Sequence, residues 1–223
     1  MWTAASVRRQ IYNYIDNKPF SIRDFLNYGP RAAVDQVFYR MVKRGIIIRI
    51  ARGLYIKDGA PIPSVQEVAI TKAKAFHKTI AIHGSEAAHV LGIDNPASGL
   101  NPARNMMEVF ETLKRNAETN PEPIYAVGGR SSAFRYGDKV IRFKGTSPKL
   151  IAQGDDPVGL VIRALAYVGK EICDAYVASC AVRGFNIQQR EKFRESTQYM
   201  YAWMHKCYTN IAKTHKQRQK VFA

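Results

Sequence analysis

With 223 residues, 46% hydrophobic and 11% aromatic content, the chain carries enough apolar material for one large or two modest packed cores, which excludes a disordered polypeptide. A formal net charge of +16 points to an anionic partner. The charge is unevenly spread: residues 1–60 hold 11 Lys/Arg against 4 Asp/Glu, residues 183–223 hold 9 against 2, and the middle holds 14 against 12, so a nearly neutral body has two basic ends.

The polar start, Met1 to Arg9, lacks the apolar core of a signal peptide. It leads into a helix from Thr3 to Ile15, in which Val7, Ile11 and Tyr14/Ile15 repeat at helical spacing and Arg8 and Arg9 occupy the opposite side. After the turn Asn17-Lys18-Pro19, the run Ser21-Ile22-Arg23-Asp24 is a capping box, with the serine oxygen and the aspartate carboxylate satisfying early N–H groups reciprocally. A second helix, Ser21 to Tyr28, follows, with Ile22, Phe25 and Leu26 on its core side.

The stretch Gly29 to Ile56 organises this end of the chain. Val34, Val37, Phe38, Met41 and Val42 form one apolar stripe at a 3.6-residue period. Pro30 suits a first helical position, and Gly45 supplies the left-handed residue that ends a helix. Away from the stripe stand Arg31, Ala32, Asp35, Gln36, Tyr39, Arg40 and Lys43, a set that can read base edges and hold phosphates. Past Gly45 the period changes: Ile46 to Ile50 and Leu54 to Ile56, joined by Ala51-Arg52-Gly53, read as a short hairpin. Three helices followed by a ribbon bearing Arg49 and Arg52 describe a winged helix-turn-helix, with Arg52 at the wing tip as a minor-groove or phosphate contact. Ser21 and Arg23 at the start of the positioning helix and Arg8 and Arg9 in the first helix are further candidate contacts.

Lys57 to Pro63 is a Gly/Pro-rich joint, and Ser64-Val65-Gln66-Glu67 opens a helix to Phe76 with a second capping box. A strand is expected at Thr79–Ile82, a helix at Ser85–Leu91 stopped by Gly92, a loop at Asp94–Pro102 and a helix at Met106–Ala117 patterned by Met107, Phe110, Leu113 and Lys114. Strands follow at Ile124–Val127, Ser132–Tyr136 and Lys139–Lys144, the last two joined at Gly137-Asp138. Asp155-Asp156-Pro157 caps a buried helix to Val168, which is too short for a bilayer and interrupted by Arg163. Another helix spans Ile172–Val182. A long one runs from Asn186 toward Lys216, with Phe193, Thr197, Met200, Met204, Cys207 and Ile211 on one stripe, Tyr201, Trp203 and Tyr208 flanking it, and Lys213, Lys216, Arg218 and Lys220 forming a basic tail that is solvated or faces phosphates. The fold class is α+β: a winged helix-turn-helix at 1–59, a small α/β domain at 60–170 and C-terminal helices with a basic tail at 171–223.

Ser21-Ile-Arg-Asp-Phe25, Gly29-Pro-Arg-Ala-Ala-Val-Asp-Gln-Val37, Lys43-Arg-Gly45 and Arg49-Ile-Ala-Arg-Gly-Leu-Tyr55 together resemble the N-terminal winged helix of AbiEi-like antitoxins from bacterial type IV toxin–antitoxin systems. Thinner likeness continues through Pro63-Ser-Val-Gln-Glu-Val68, Ile141-Arg-Phe-Lys144 and Ala202-Trp-Met204. The resemblance implies a bacterial transcriptional repressor that binds inverted repeats in its own promoter as a homodimer and whose later domain opposes a nucleotidyltransferase toxin. Two features depart from that pattern: an inserted helix at Asn101–Asn120 and a longer basic tail after Thr209.

Catalytic constellations are not expected. Gly84-Ser85 is not followed by the Asp-x-Asp pair that nucleotidyl transfer requires, and Asp155-Asp156 is a helix cap. His83, Glu86 and His89 lack a third ligand at matching spacing, Cys207 and His205 take different helix faces, and Gly128-Gly129-Arg130 is a strand-end turn. Cys173, Cys180 and Cys207 show no zinc spacing and suit free thiols in a reducing cytoplasm. The sequence therefore predicts a cytoplasmic DNA-binding regulator without catalytic residues, metal or cofactor, encoded by a bacterium, phage or mobile element. The alternative is a non-catalytic module that docks RNA, general DNA or protein.

Overall fold

The computed structural model describes residues 3–13, 18–94, 105–207 and 209. Tyr14, Ile15 and Asn17, the expected loop from 95 to 102, Tyr208, Ile211 and the tail cations Lys213, Lys216, Arg218 and Lys220 lie outside the described residues. The fold is mixed α+β with two small sheets, and it divides into two compact units.

The first unit takes residues up to Thr79, together with 120–123 and 132–142. Helix α1, Thr3–Tyr12, buries Val7 and Ile11. A two-residue strand, β1 (Phe20–Ser21), leads into a 3-10 helix, Ile22–Tyr28. The Ser21/Asp24 capping box is present, with Ser21 Oγ accepting from the Arg23 N–H and Asp24 accepting from the Ser21 N–H. The segment expected as an α-helix is thus a tighter 3-10 turn. Gly29-Pro30 close behind it leaves no room for propagation, because a residue before proline is pushed out of the helical region.

Helix α2 spans Arg31–Lys43 and buries Val34, Val37, Phe38 and Met41. Pro30 is its N-cap rather than its first helical residue, with an extended ψ of 144°. Val42, expected in the apolar stripe, is exposed instead, because it sits at the edge of the arc that the other four define. Gly45, at φ 70°, closes a Schellman turn: its N–H donates to the Val42 carbonyl and the Ile46 N–H to that of Met41. Strands β2 (Ile47–Ala51) and β3 (Leu54–Lys57) form the hairpin, with a register shift between Arg49 and Ala51. β3 also pairs with β1, so the sheet has the order β1-β3-β2. The third strand is too short to carry a period in sequence.

Four rings knit this unit. Phe38 stands edge-on to Tyr55 at 4.9 Å and to Phe25 at 5.2 Å, and Phe20 stands edge-on to Phe25 and Phe38, geometry in which the positive edge of one ring meets the negative face of the next; Phe20 and Tyr55 are stacked instead, at 6.4 Å. Helix α3, Val65–Lys74, opens with the Ser64/Glu67 capping box and buries Val65, Val68, Ala69 and Ala73. The expected joint at 57–63 is therefore internal to this unit, and the division falls after Thr79. The unit also holds β6 (Ser132–Tyr136) and the first half of β7 (Lys139–Thr146). The Tyr136 hydroxyl donates to the Pro63 carbonyl, and Arg142 pairs with Glu122 at 2.8 Å.

The second unit contains β4 (Ile80–Ile82), α4 (Gly84–Val90), α5 (Met106–Thr119), β5 (Ile124–Gly128), the rest of β7, α6 (Pro148–Ile151), α7 (Pro157–Val168), α8 (Ala175–Ala181) and α9 (Ile187–Glu195). β4 pairs antiparallel with β5. In α5 the buried residues are Met106, Val109 and Leu113; of the expected stripe Leu113 is buried and Phe110 packs partly buried against the core, whereas Met107 is 78% exposed. The expected long C-terminal helix is interrupted: α9 gives way to a 3-10 turn at Ser196–Tyr199, Met200 is extended, and helix resumes at 202–207. Ser196 Oγ donates back to the Lys192 carbonyl and accepts from Gln153 Nε2, a competing arrangement that serine offers the backbone in mid-helix.

Helix α7 is the axis of this unit, buried from Val158 to Leu165. Arg163 at its centre is 2% exposed. Its Nε donates to the Ile82 carbonyl at 2.8 Å, one Nη to the carbonyl of Gly154 at 2.6 Å and the other to Asp155 Oδ1 at 2.8 Å. Asp155 Oδ1 also accepts the Ile82 N–H at 2.7 Å. Burial pushes the Asp155 carboxyl up and the Arg163 guanidinium down, and each charge opposes the other's shift. Gly84 lets α4 approach: a Cβ there would lie 2.3 Å from the Arg163 carbonyl oxygen.

Arg163→Met leaves Asp155 without its counter-charge and removes the donor from the Ile82, Gly154 and Leu150 carbonyls, so it should destabilise the protein by about 3 to 5 kcal/mol. Urea unfolding followed by circular dichroism checks the value, and a change below about 1 kcal/mol would show that the network contributes little.

Candidate nucleic-acid interface

Burial of Val34, Val37, Phe38 and Met41 in the core shared with α1, the 3-10 helix and the sheet turns the other side of α2 to solvent. Arg31, Ala32, Asp35, Gln36, Tyr39, Arg40 and Lys43 are all exposed, and Tyr39 reaches 62%. The helix thus presents two guanidinium groups, one ammonium, one amide and one phenol in a continuous strip. Arg31 Nε donates to both carboxylate oxygens of Asp35, at 2.9 and 3.0 Å. Such an exposed i,i+4 pair contributes only about 0.3 to 0.5 kcal/mol, so it orients Arg31 without committing it.

The hairpin turns at Arg52-Gly53, and both Arg49 and Arg52 are exposed. Arg49 Nε makes a long contact to the Ala51 carbonyl at 3.4 Å, which keeps the side chain along the ribbon. Burial pushes the Tyr55 phenol up, while Arg49 and Arg31 pull it down and Asp35 pushes it up. The start of α2 and the ribbon therefore share one electrostatic neighbourhood. Arg8 is half-buried and Arg9 exposed on α1.

Two candidates have other occupations. Ser21 is 2% exposed and its hydroxyl serves the cap, so it is withdrawn as a contact: pairing with Leu54 in the sheet removes it from the surface. Arg23 is exposed, but its guanidinium lies over the Phe76 ring at 4.1 Å, a cation–π contact made with the turn that follows α3, beyond the expected winged-helix segment.

Phe76 and Lys72, just before it in α3, carried no signal in the sequence beyond helical pattern. Lys72 Nζ donates to the Arg52 carbonyl at 2.6 Å and lies 5.7 Å from the Phe76 ring centre and 5.3 Å from that of Phe134. Only the tertiary structure brings these groups together. Burial lowers the Lys72 ammonium pKa first, followed by repulsion from Arg52, Arg23 and Arg49.

The residues considered for chemistry in the second unit are engaged structurally. His83 is the N-cap of α4: its Nδ1 accepts the Ser85 N–H at 3.2 Å and contacts the Ser85 hydroxyl at 2.7 Å. His89 Nδ1 lies 3.1 Å from Asp94. Asp156 caps α7 and pairs with Lys192 at 2.7 Å. Cys173, Cys180 and Cys207 are free thiols, and burial pushes the Cys173 thiol up to about 12. Among the described residues no three His, Cys, Asp or Glu side chains are grouped to hold a metal ion. No helix among them is long and apolar enough to cross a membrane.

Residues 10–98 match a family described as a family of unknown function, DUF6088. The match runs from within α1 through the hairpin and α3 to just past α4. No curated protein and no solved structure matches the chain.

The His83 cap carries a pH prediction. Burial, Lys144 and Arg163 lower its pKa to about 4, below the ordinary value of about 6.5. Folding disfavours the imidazolium, so the stability is complete above about pH 6.5 and is lost as pH falls toward 4. Between pH 7 and 4.5 the wild type should lose about 2 kcal/mol more than His83→Asn, which retains a cap acceptor but does not titrate. Urea melts of both proteins at the two pH values measure the difference, and equal losses would assign the acid sensitivity elsewhere.

Proposed function

We propose that the segment from α1 to β3 is a winged helix-turn-helix and that the chain is a sequence-specific DNA-binding transcriptional regulator. In this reading α2 is the recognition helix and the β2–β3 hairpin is the wing. One observation carries it: the whole polar face of α2 is exposed beside a basic ribbon, while its apolar face is locked to the sheet by Phe38. A rigid helix presenting bidentate donors next to a cationic hairpin matches the shape and donor pattern of a major groove with flanking phosphates.

Gln36 and Arg31 take the base-reading roles, because an amide and a guanidinium can each form paired hydrogen bonds to purine edges. Arg40, Lys43, Arg49 and Arg52 take phosphates. The resemblance of Ser21–Tyr55 to AbiEi-like antitoxins suggests the form of regulation: repression of its own promoter through an inverted repeat bound by two copies, with opposition to a nucleotidyltransferase toxin as a further role. The repeat would lie upstream of the chain's own gene, which makes that DNA the first probe to use.

Fluorescence anisotropy with this upstream duplex and a random duplex of equal length tests the reading. Preferential binding to the upstream duplex is expected, and equal affinity for both would overturn sequence-specific recognition. Arg31→Ala and Gln36→Ala should each weaken specific binding by ~1 to 3 kcal/mol and relax base preference. Arg52→Ala should lower affinity for all sequences and flatten the salt dependence. Unchanged preference in both α2 variants would remove that helix from the base-reading role.

A further inference from the structure

Arg23, Arg49, Arg52 and Lys72 converge from the 3-10 helix, the hairpin and α3. No ion pair between described residues neutralises any of them. The nearby acids Asp24 and Glu67 are occupied in capping boxes, Asp24 on the Ser21 N–H and Glu67 on the Ser64 N–H. Rings hold two of them instead: Phe76 lies under Arg23 at 4.1 Å, and Lys72 lies 5.7 Å from the Phe76 ring centre and 5.3 Å from that of Phe134.

Contact with a ring face leaves the N–H edges of a guanidinium free to donate, which a carboxylate partner would not. Lys72 commits one donor to the Arg52 carbonyl and retains two, since an ammonium has three. Concentrated positive charge, free donors and a half-exposed ring floor, with Phe76 46% exposed, describe an anion site built before its ligand arrives.

We propose that Arg23, Arg52 and Lys72, floored by Phe76, form one phosphate-binding site that takes a backbone phosphodiester of the duplex beside the wing. The site extends the DNA-binding surface onto α3, outside the winged helix, and rests on the DNA-binding reading above. Lys72 serves it twice, because its ammonium both faces the phosphate and ties down the backbone of the wing tip.

Salt titrations of duplex binding test the site with Lys72→Met, Lys72→Gln and Lys72→Arg, each checked for an unchanged thermal midpoint. Met keeps the apolar stem over the rings, Gln keeps a donor for the Arg52 carbonyl without charge, and Arg restores charge. The slope of log affinity against log salt should become shallower by about 1 for Met and Gln, as expected for one lost phosphate at ~0.9 each, and should return with Arg, with base preference unchanged in all three. Full restoration by Gln would make Lys72 only a support for the wing and overturn the phosphate contact. A wild-type slope in Lys72→Met, alongside weakened binding in Arg40→Ala, would overturn the site while leaving the DNA-binding reading intact. A wild-type chain that binds no duplex overturns both. Calorimetry with inorganic phosphate separates the sources: millimolar binding lost in Lys72→Met without any change in duplex affinity would make this a free-anion site and overturn the backbone contact.

Discussion

The packing of Phe38 against Tyr55 is the contact on which the first unit turns. Phe38 lies on the apolar stripe of α2 and Tyr55 on the central strand β3, so their edge-to-face contact at 4.9 Å fixes the rotation of the helix about its own axis. Once Val34, Val37 and Met41 follow Phe38 inward, the remaining positions must face solvent, since an α-helix advances 100° per residue. The exposed strip from Arg31 to Lys43 therefore follows from the core. The aromatic rings contribute apolar area and directional contacts at once, which is how a unit with little enclosed volume holds a helix to a short sheet.

The second unit is built on a costlier arrangement. An arginine in the middle of an otherwise apolar helix has to be desolvated, and only a full set of acceptors offsets that cost. Arg163 finds them in the Ile82 and Gly154 carbonyls and Asp155, joining β4, the turn before α7 and α7 itself. The arrangement specifies position as well as contributing energy, because Asp155 also accepts the Ile82 N–H and Gly84 admits no side chain against the Arg163 backbone. Burial also disfavours the charged form of the neighbouring His83 cap, with the charges of Lys144 and Arg163 adding to it.

The cation cluster at Arg23, Arg49, Arg52 and Lys72 contrasts with Arg163. There Arg23 and Lys72 meet rings, and Lys72 a backbone carbonyl, rather than carboxylates, and no ion pair between described residues compensates the charge. A buried cation with every acceptor in place is a structural element. A group of cations at least partly exposed and free of carboxylates retains its capacity for an anion. Surface exposure of the donors separates the two, since sequence alone makes Arg163 and Arg52 equally basic.

Local chemistry determined much of this protein. The capping boxes at Ser21 and Ser64, the Gly45 stop, the turn at Gly137-Asp138, the Asp156 cap and the apolar stripe of α2 all involve residues within a few positions of one another, so sequence carries them directly. What depended on distant partners was not legible. The strand β1 exists only because β3 is available to pair with it, the burial of Met106 rather than Met107 in α5 was set by the core it faces, and the helix after Ser196 broke where Gln153 and Lys192 offered competing hydrogen bonds. Lys72 and Phe76 looked like ordinary helical residues until folding brought the Arg23 guanidinium onto the Phe76 ring and the Arg52 carbonyl to the Lys72 ammonium. Arg163 looked like an interruption in an apolar run. Sequence fixes what each side chain can donate or accept, but only the closed chain decides which acceptors surround it, because those come from residues up to 81 positions away.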